Sequence, residues 1–345
     1  MSRKLIDRLF DRGLAELPDA KLQQADRLAL FMQHGDFSLA YSSAVQAGLS
    51  HFGDARGYIA HGKKMGSLIA LGDPVCAKAD RTDLLDAFIG EARTPCFAEI
   101  DRETAEHLAV RGFRIAMMGI DTALDLASYD FSGKRKETVR YSERWLEKKG
   151  YRIAEAEDVE GADCMIAELS ARWRQSRIVK KREMAFLNRP LSEAGGPMMR
   201  RFVLIEPDGH ISCLLYFDPI CRDGEIVGYL TSFKRKLPET TSHAEIGLTK
   251  RAVDVFKAEG RERVMLGLSP LCNVEPSGYD ESTPFRAMLR GLYRSGAVNR
   301  KVFNLQGHAA FKRRFHGCEE PRYLAWNAGS PFKHFISLMR LSKAF

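Results

Sequence analysis

Residues 200–235 constrain the fold most strongly, because strand-like runs alternate there with two short turns. The segment reads RRFVLIEPDGHISCLLYFDPICRDGEIVGYLTSFKR. Its runs are rich in Val, Ile, Leu, Phe and Tyr, and the tripeptides PDG and RDG that separate them favour tight turns. The pattern predicts three consecutive antiparallel strands. A helical pattern at 243–259, a strand at 263–269 and a helix at 283–295 follow, so the sheet carries helices on its faces.

The first half of the chain has a similar order of elements. Residues 55–75 predict two strands with a turn at 62–66. Further elements are predicted as helix 81–92, strand 96–100, helix 102–111, an extended segment 113–126, helix 135–149, strand 151–157 and helix 160–178. We therefore predict an α+β fold of two similar units in tandem, each a mostly antiparallel sheet with flanking helices. The predicted divisions are N-terminal helices at 1–35, a first unit at 36–150, a second unit at 151–328 and an amphipathic helix at 329–345.

Charge and cysteine usage narrow the class of protein. The chain of 345 residues has a net charge of +8, which favours a polyanionic partner such as nucleic acid or an anionic membrane surface. Its seven cysteines include no CxxC pair, and the histidines show no HxxxH or HExxH spacing. We therefore expect no disulfide framework and no metal. No apolar run approaches the roughly 18 residues that span a bilayer, so we expect a cytoplasmic protein, free or bound peripherally at the inner face of the cell membrane.

Five segments in order resemble a known family. They are IALGDPV (69–75), SGKRKETVRYSERWLEKKGYRI (132–153), KLPETTSHAE (236–245), LGLSPL (266–271) and FNLQGHAAFKRRFHGCEEPRYLAW (303–326). Together they resemble the catalytic portion of the phosphatidylglycerol lysyltransferases, the C-terminal domain of multiple peptide resistance factors. The resemblance covers about residues 30–326. It implies a tandem GNAT acyltransferase fold that moves an aminoacyl group from aminoacyl-tRNA to a lipid hydroxyl, without a cofactor. The family's multi-helix membrane flippase has no counterpart in these segments.

The resemblance also implies candidate catalytic residues. Arg235 matches an arginine that helps to hold the aminoacyl group and the terminal adenosine of the donor, and its flanking lysines are expected at the surface. Ser232 stands where the family has an aspartate, and a serine cannot replace its charge towards the donor's α-ammonium. Either another carboxylate such as Glu245 takes its place, or the transferred acyl group differs from lysine and alanine. Lys312, in an FK-x-x-F arrangement, is expected to stabilise the charge that develops during acyl transfer.

Other residues are expected to bind substrate. Gly267 and Ser269 end a strand where free backbone N–H groups can bind an acyl carbonyl, Asn304 and Gly307 open the helix that carries Lys312, and Arg313 follows it. His243 is a candidate general base for the acceptor hydroxyl because its reference pKa lies near 6.5. Each of these positions also has a plain structural interpretation. Arg300 is a second departure, because the lysyl and alanyl enzymes place an acidic residue there.

The run ARWRQSRIVKKR (171–182) is the strongest basic stretch, with six positive charges and no acid. Its tryptophan offers a surface on which a base can stack. We favour contact with tRNA, with anionic lipid headgroups or an ordinary solvated face as alternatives. The residues concerned are Arg172, Trp173, Arg174, Arg177, Lys180, Lys181 and Arg182.

Three functions remain open from the sequence. The first is aminoacyl transfer from aminoacyl-tRNA to a lipid or a small acceptor. The second is an acyl-CoA-dependent GNAT reaction, although no Q/R-x-x-G-x-G/A loop for the pyrophosphate of coenzyme A is found. The third is an RNA- or membrane-binding protein without catalysis. The oligomeric state and the transferred amino acid are not predicted.

Overall fold

The computed structural model describes residues 16–92, 94–176, 184–192 and 194–344. The helices are α1 (Gln24–His34), α2 (Ala40–Val45), α3 (Arg81–Ala92), α4 (Arg102–Val110), α5 (Glu137–Lys148), α6 (Ala162–Ser176), α7 (Ala244–Ala258), α8 (Thr283–Arg294), α9 (Gly296–Lys301), α10 (Leu305–Arg313) and α11 (Pro331–Leu341). The strands are β1 (Ser50–Asp54), β2 (Gly57–Lys64), β3 (Ser67–Leu71), β4 (Val75–Cys76), β5 (Pro95–Ile100), β6 (Arg114–Asp125), β7 (Arg152–Glu155), β8 (Arg200–Ile205), β9 (Ile211–Arg222), β10 (Glu225–Lys236), β11 (Arg263–Pro270) and β12 (Cys318–Trp326).

The strands of the described part form one twelve-stranded sheet. Its order is β1-β2-β3-β5-β12-β6-β11-β10-β9-β8-β7, with β4 beside β2. Pairing is antiparallel except for β3 with β5 and β10 with β11. A mixed fold with a large, mostly antiparallel sheet is therefore confirmed, as are the three-stranded meander and the hairpin of β2 and β3.

The sheet runs without a break from the first half of the chain into the second. β6 pairs with β11, and β12 lies between β5 and β6 although it follows them by almost 200 residues. A strand from residues 318–326 thus completes the portion of the sheet built by residues 50–125. The divisions expected at residues 35, 150 and 328 stay predictions.

Helices cover both faces of the sheet. On the β7–β11 side, α5 and α7 cover one face around an aromatic cluster in which Phe256 stacks on Tyr229 with centroids 4.2 Å apart. α6 covers the opposite face of that side. Near the middle of the sheet, α1, α2, α8 and α11 enclose a further core. None of the described helices is long and apolar enough to cross a bilayer.

Candidate functional site

The site begins where two parallel strands separate. β10 and β11 pair only through Gly228 to Leu230 and Arg263 to Met265. Both strands continue beyond this point, β10 to Lys236 and β11 to Pro270. The strands therefore diverge and leave backbone groups between them that a ligand can contact.

A row of β-bulges crosses the sheet at the same level. The extra residues are Ser232 on β10, Leu266 and Gly267 on β11, Met118 on β6 and Glu99 on β5. A bulge leaves its extra residue outside the ladder and redirects its side chain. All five of these residues line the same cavity, so the irregular row forms its floor.

The cavity has a volume of about 430 Å³, a usual size for a small-molecule site. Its far wall is apolar and comes mainly from α8, α11 and the segment between α8 and α10. These apolar residues are Phe285, Leu289, Leu292, Val298, Val302, Phe303, Phe335, Leu338 and Met339. Polar side chains also line the cavity, and those of Glu99, Ser232, Lys234 and Lys312 lie at or beside the bulges. The end at the bulge row is therefore polar, while the end under α8 and α11 is mainly apolar.

Lys312 occupies the gap between β10 and β11. Its side chain is buried, and its Nζ donates hydrogen bonds to the carbonyls of Gly267 and of Leu268, the latter at 2.7 Å. Burial lowers its pKa to about 8, with the nearby carboxylate of Asp121 opposing the shift. Lys312 therefore keeps its charge at neutral pH but lies close to its titration point.

Gly267 allows the close approach that this arrangement requires. Its φ is +79°, and a Cβ at this position would lie 3.5 Å from the carbonyl oxygen of Thr231 on the facing strand. A side chain would be strained here and would enter the gap. The sequence prediction that Gly267 and Lys312 share a site is consistent with this contact, while their roles towards substrate stay predictions.

Lys234 is a cavity residue that the sequence interpretation placed at the surface. Its side chain is about one-fifth exposed, pairs with Glu245 at 3.4 Å and lies 4.1 Å from the ring centroid of Phe311. The expectation of a surface lysine is wrong here, because the bulge at Ser232 turns Lys234 towards α7 and α10. Glu245 itself does not line the cavity and reaches it only through Lys234.

Ser232 and Arg235 lie on different sides of β10. Ser232 lines the cavity and its Oγ donates to the carbonyl of Tyr216 at 3.3 Å. Arg235 is buried, does not line the cavity, and its guanidinium lies 4.7 Å from the ring centroid of Trp173. The structure thus brings Ser232, but not Arg235, together with Lys312.

The remaining candidates around α10 have structural contacts. Asn304 caps the helix by accepting the N–H of Gly307 at 2.9 Å, and a Cβ at Gly307 would collide with this cap. The guanidinium of Arg313 donates to Asn273 at 2.9 Å, and Ser269 on β11 is buried. None of these four lines the cavity, and their predicted contact with substrate stays a prediction.

His243 lies at the start of α7, outside the cavity. Its Nδ1 is 3.0 Å from the Oγ of Ser142, and its ring packs against Trp145 with centroids 4.8 Å apart. Another histidine, His308, lines the cavity and stacks on Phe303 at 4.7 Å. Burial, and then the charge of Lys234, lowers the pKa of His308 to about 3, so this imidazole is neutral at physiological pH. A single histidine in a helical pattern gave no sequence signal.

Glu99 is the functional candidate that the sequence least suggested. It lies inside the run CFAEI, where an alternating strand would pair it with a neighbour. Instead it is the extra residue of a bulge, with φ +63°, and its side chain lines the cavity while remaining buried.

The described part of the basic run lies on and beside α6. Arg172 pairs with Glu239, and Trp173 packs on Arg235. Arg174 is exposed near the end of the helix. Arg177, Lys180, Lys181 and Arg182 lie outside the described residues. Binding of tRNA by this run stays a prediction. Within the described ranges, no group of three or more His, Cys, Asp or Glu side chains could hold a metal.

Comparison with known proteins gives one family. Residues 28–326 match the family described as phosphatidylglycerol lysyltransferase, C-terminal. The phosphatidylglycerol lysyltransferase of Bacillus subtilis strain 168 is 23% identical over 321 residues, which are 90% of this chain and 36% of that protein. The chain therefore spans about a third of the length of this relative.

Two solved structures cover nearly the whole chain. L-PGS from Bacillus licheniformis has a TM-score of 0.78 at 18% identity and covers 96% of this chain and 99% of its own. A C-terminal domain from Agrobacterium fabrum has a TM-score of 0.76 at 20% identity, with coverage of 93% and 98%. At these identities the likeness shows a shared fold. Because the family match extends over most of the sequence, the chain belongs to the phosphatidylglycerol lysyltransferase C-terminal family.

Proposed function

We propose that this chain transfers an aminoacyl group from aminoacyl-tRNA to a hydroxyl of phosphatidylglycerol or a related lipid. The observation that carries the proposal is the gap between β10 and β11, where a buried lysine meets a cavity with one polar and one apolar end. Membership of the family supports the same reaction. The diverging strands also support a GNAT-like unit in residues 151–328, with a second such unit in residues 36–150.

The chemistry needs little from the protein beyond positioning and charge. The acceptor oxygen forms a new ester bond with the aminoacyl carbonyl carbon, and the bond to the terminal ribose of the tRNA breaks. The acceptor hydroxyl loses one proton and the ribose oxygen of the tRNA gains one, so no net proton is produced. The tetrahedral intermediate carries a negative oxygen, and the ammonium of Lys312 supplies the matching charge from a buried position. Holding both reactants in the gap contributes the remaining acceleration.

The apolar end of the cavity suits the lipid acceptor. Phe335, Leu338 and Met339 of α11 line it from inside, while Phe332 and Ile336 of the same helix are exposed. Lys333 and Arg340 lie on this helix too. An amphipathic helix of this kind can bind an anionic membrane surface and present lipid to the cavity. Peripheral attachment through α11 is part of the proposal.

A transfer assay tests the proposed function. Radiolabelled aminoacyl-tRNAs are incubated with the protein and vesicles containing phosphatidylglycerol, and label is followed into the organic phase. We expect transfer by the wild-type protein to require intact tRNA, so RNase should abolish it. Lys312→Met should reduce transfer at least a hundredfold. Lys78→Met, which changes an exposed lysine outside the cavity, should leave transfer unchanged. Transfer that survives RNase and requires acyl-CoA would refute the proposal. Comparing labelled amino acids identifies the donor.

A further inference from the structure

We propose that the carboxylate of Glu99 binds a primary ammonium group of the transferred aminoacyl residue inside the cavity. This inference rests on the proposed function, because it assigns the group that recognises the aminoacyl part of the donor. Ser232, which lines the same cavity on β10, carries no charge that could pair with an ammonium group. The carboxylate then comes from the other half of the sheet.

The backbone holds Glu99 in place for this role. Its neighbours Ala98 and Ile100 pair with Leu324 and Tyr323 of β12, and Glu99 is left over between them. Its N–H contacts the Sδ of Met118 at 3.1 Å, so two adjacent bulge residues support each other. A non-glycine residue at φ +63° is energetically unfavourable and persists where surrounding structure enforces it. Such a conformation here turns the side chain out of the ladder and into the cavity.

The carboxyl group of Glu99 has no protein partner within the described ranges. No hydrogen bond or ion pair joins it to residues 16–92, 94–176, 184–192 or 194–344, although only 6% of the residue is exposed. The other carboxylate that lines the cavity, that of Asp218, is occupied by Arg189, with Oδ1 2.7 Å from Nη2. A buried carboxylate without a partner is costly, and a cationic ligand would remove that cost.

The charges around Glu99 leave room for one more cation. The groups that act on it are the carboxyls of Asp121 on β6 and Asp73 after β3, the guanidinium of Arg322 on β12 and the ammonium of Lys312 on α10. With Glu99 this makes three acids against two cations. Full ionisation would give a net charge of −1. In the empty protein, protons on Glu99 and on Asp73, whose pKa burial raises to about 7, offset this charge, and the ammonium group of a ligand can take their place.

Burial makes this binding detectable as proton release. Burial, reinforced by Asp121, raises the pKa of Glu99 to about 8. At pH 7 about nine-tenths of the carboxyl groups are then protonated in the empty protein. Pairing with an ammonium favours the ionised form, so ligand binding should displace the proton of Glu99.

Three small probes separate the two ammonium groups that an aminoacyl residue can offer. Alaninamide carries only the α-ammonium beside a neutral carbonyl, 6-aminohexanamide carries only the side-chain type, and lysinamide carries both. Affinity and proton release are measured at pH 7 by calorimetry in two buffers of different ionisation enthalpy. Glu99→Gln keeps the shape and removes the charge. Glu225→Gln is the matched control, since this carboxylate is exposed and does not line the cavity.

We expect at least one probe to bind wild-type protein with net release of protons at pH 7. In Glu99→Gln, its affinity should fall at least tenfold and the proton release from Glu99 should be lost, while Glu225→Gln stays within twofold of wild type. Binding of alaninamide assigns the α-ammonium, and binding of 6-aminohexanamide alone assigns the side chain. Equal binding by wild type and Glu99→Gln, or no binding of any probe, overturns the inference. The binding measurements use neither tRNA nor lipid. If the transfer assay fails but the probes bind as expected, only the proposed function is rejected.

Discussion

Replacing Lys312 by methionine should stabilise the protein while it abolishes transfer. The pKa of Lys312 is lowered from 10.5 to about 8 by burial. The folded protein thus holds the ammonium less favourably than the unfolded chain does. This lowered pKa corresponds to a cost of about 3 kcal/mol at pH 7.

Methionine removes this cost and keeps most of the volume. It also removes the hydrogen bonds from Nζ to the carbonyls of Gly267 and Leu268, each worth about 1 kcal/mol. The net change should be a gain of about 1 kcal/mol in the free energy of unfolding at pH 7. Transfer should fall at least a hundredfold, as when a donor to a developing oxyanion is deleted.

The dependence on pH provides the sharper measurement. Between pH 8 and 10.5 the unfolded chain binds the lysine proton and the folded protein does not. The stability of wild type should therefore rise through this range by up to about 1.4 kcal/mol per pH unit, relative to Lys312→Met. Chemical denaturation at several pH values measures the difference. If stability depends on pH in the same way in wild type and Lys312→Met, or if the variant is several kcal/mol less stable at pH 7, Lys312 does not carry a buried charge that costs stability.

Three further predictions concern the cavity and its surroundings. Burial raises the pKa of Glu99 from 4.5 to about 8, so the folded protein keeps this proton over a pH range in which the unfolded chain loses it. Between pH 4.5 and 8 the stability of wild type should therefore fall by up to about 1.4 kcal/mol per pH unit relative to Glu99→Gln. Urea unfolding at several pH values measures this difference. Arg235→Ala should lose about 2 kcal/mol of stability because the Arg235 guanidinium is buried against Trp173. Because Arg235 does not line the cavity, turnover per folded molecule should stay within twofold of wild type; a tenfold drop would instead support the donor contact predicted from the sequence. Leu292→Trp should fill the apolar end of the cavity and reduce transfer to lipid at least tenfold, while the affinity for the amide probes stays unchanged. Transfer and probe binding are measured in parallel on the same variant.

Local patterns predicted the elements that local chemistry determines. The turns PDG and RDG predicted the meander of β8, β9 and β10, and the helix predicted at 81–92 has the same bounds as α3. The proposed tight entry into α10 is also confirmed, since the Asn304 side chain accepts the N–H of Gly307. These features depend on residues a few positions apart, so a sequence can display them.

The face of the sheet on which Arg235 lies cannot be predicted from the regular alternation of side chains along a strand. Tyr229 packs on α7, and counting by twos from it places Arg235 on the same face. The bulge at Ser232 adds one residue and inverts every later position, so Phe233 and Arg235 meet the α6 side while Lys234 turns to the cavity. A single unpaired residue thus exchanges the positions of Arg235 and its neighbour. Nothing in the run YLTSFKRK marks where that residue falls.

The bulge row also explains why the site could not be assembled from its own half of the chain. Glu99 becomes an extra residue because β12 pairs beside it, and β12 lies more than 200 residues further along the chain. The same strand places Arg322 among the buried carboxyls, and α10, which precedes it, supplies Lys312. The position of β12 between β5 and β6, the bulges and the buried charges therefore depend on one another. If β12 paired regularly, the floor of the cavity would close and Glu99 would return to the hydrogen-bonded ladder. Substrate binding would then have no unpartnered carboxylate to use, so the irregular pairing that weakens the sheet also creates the site.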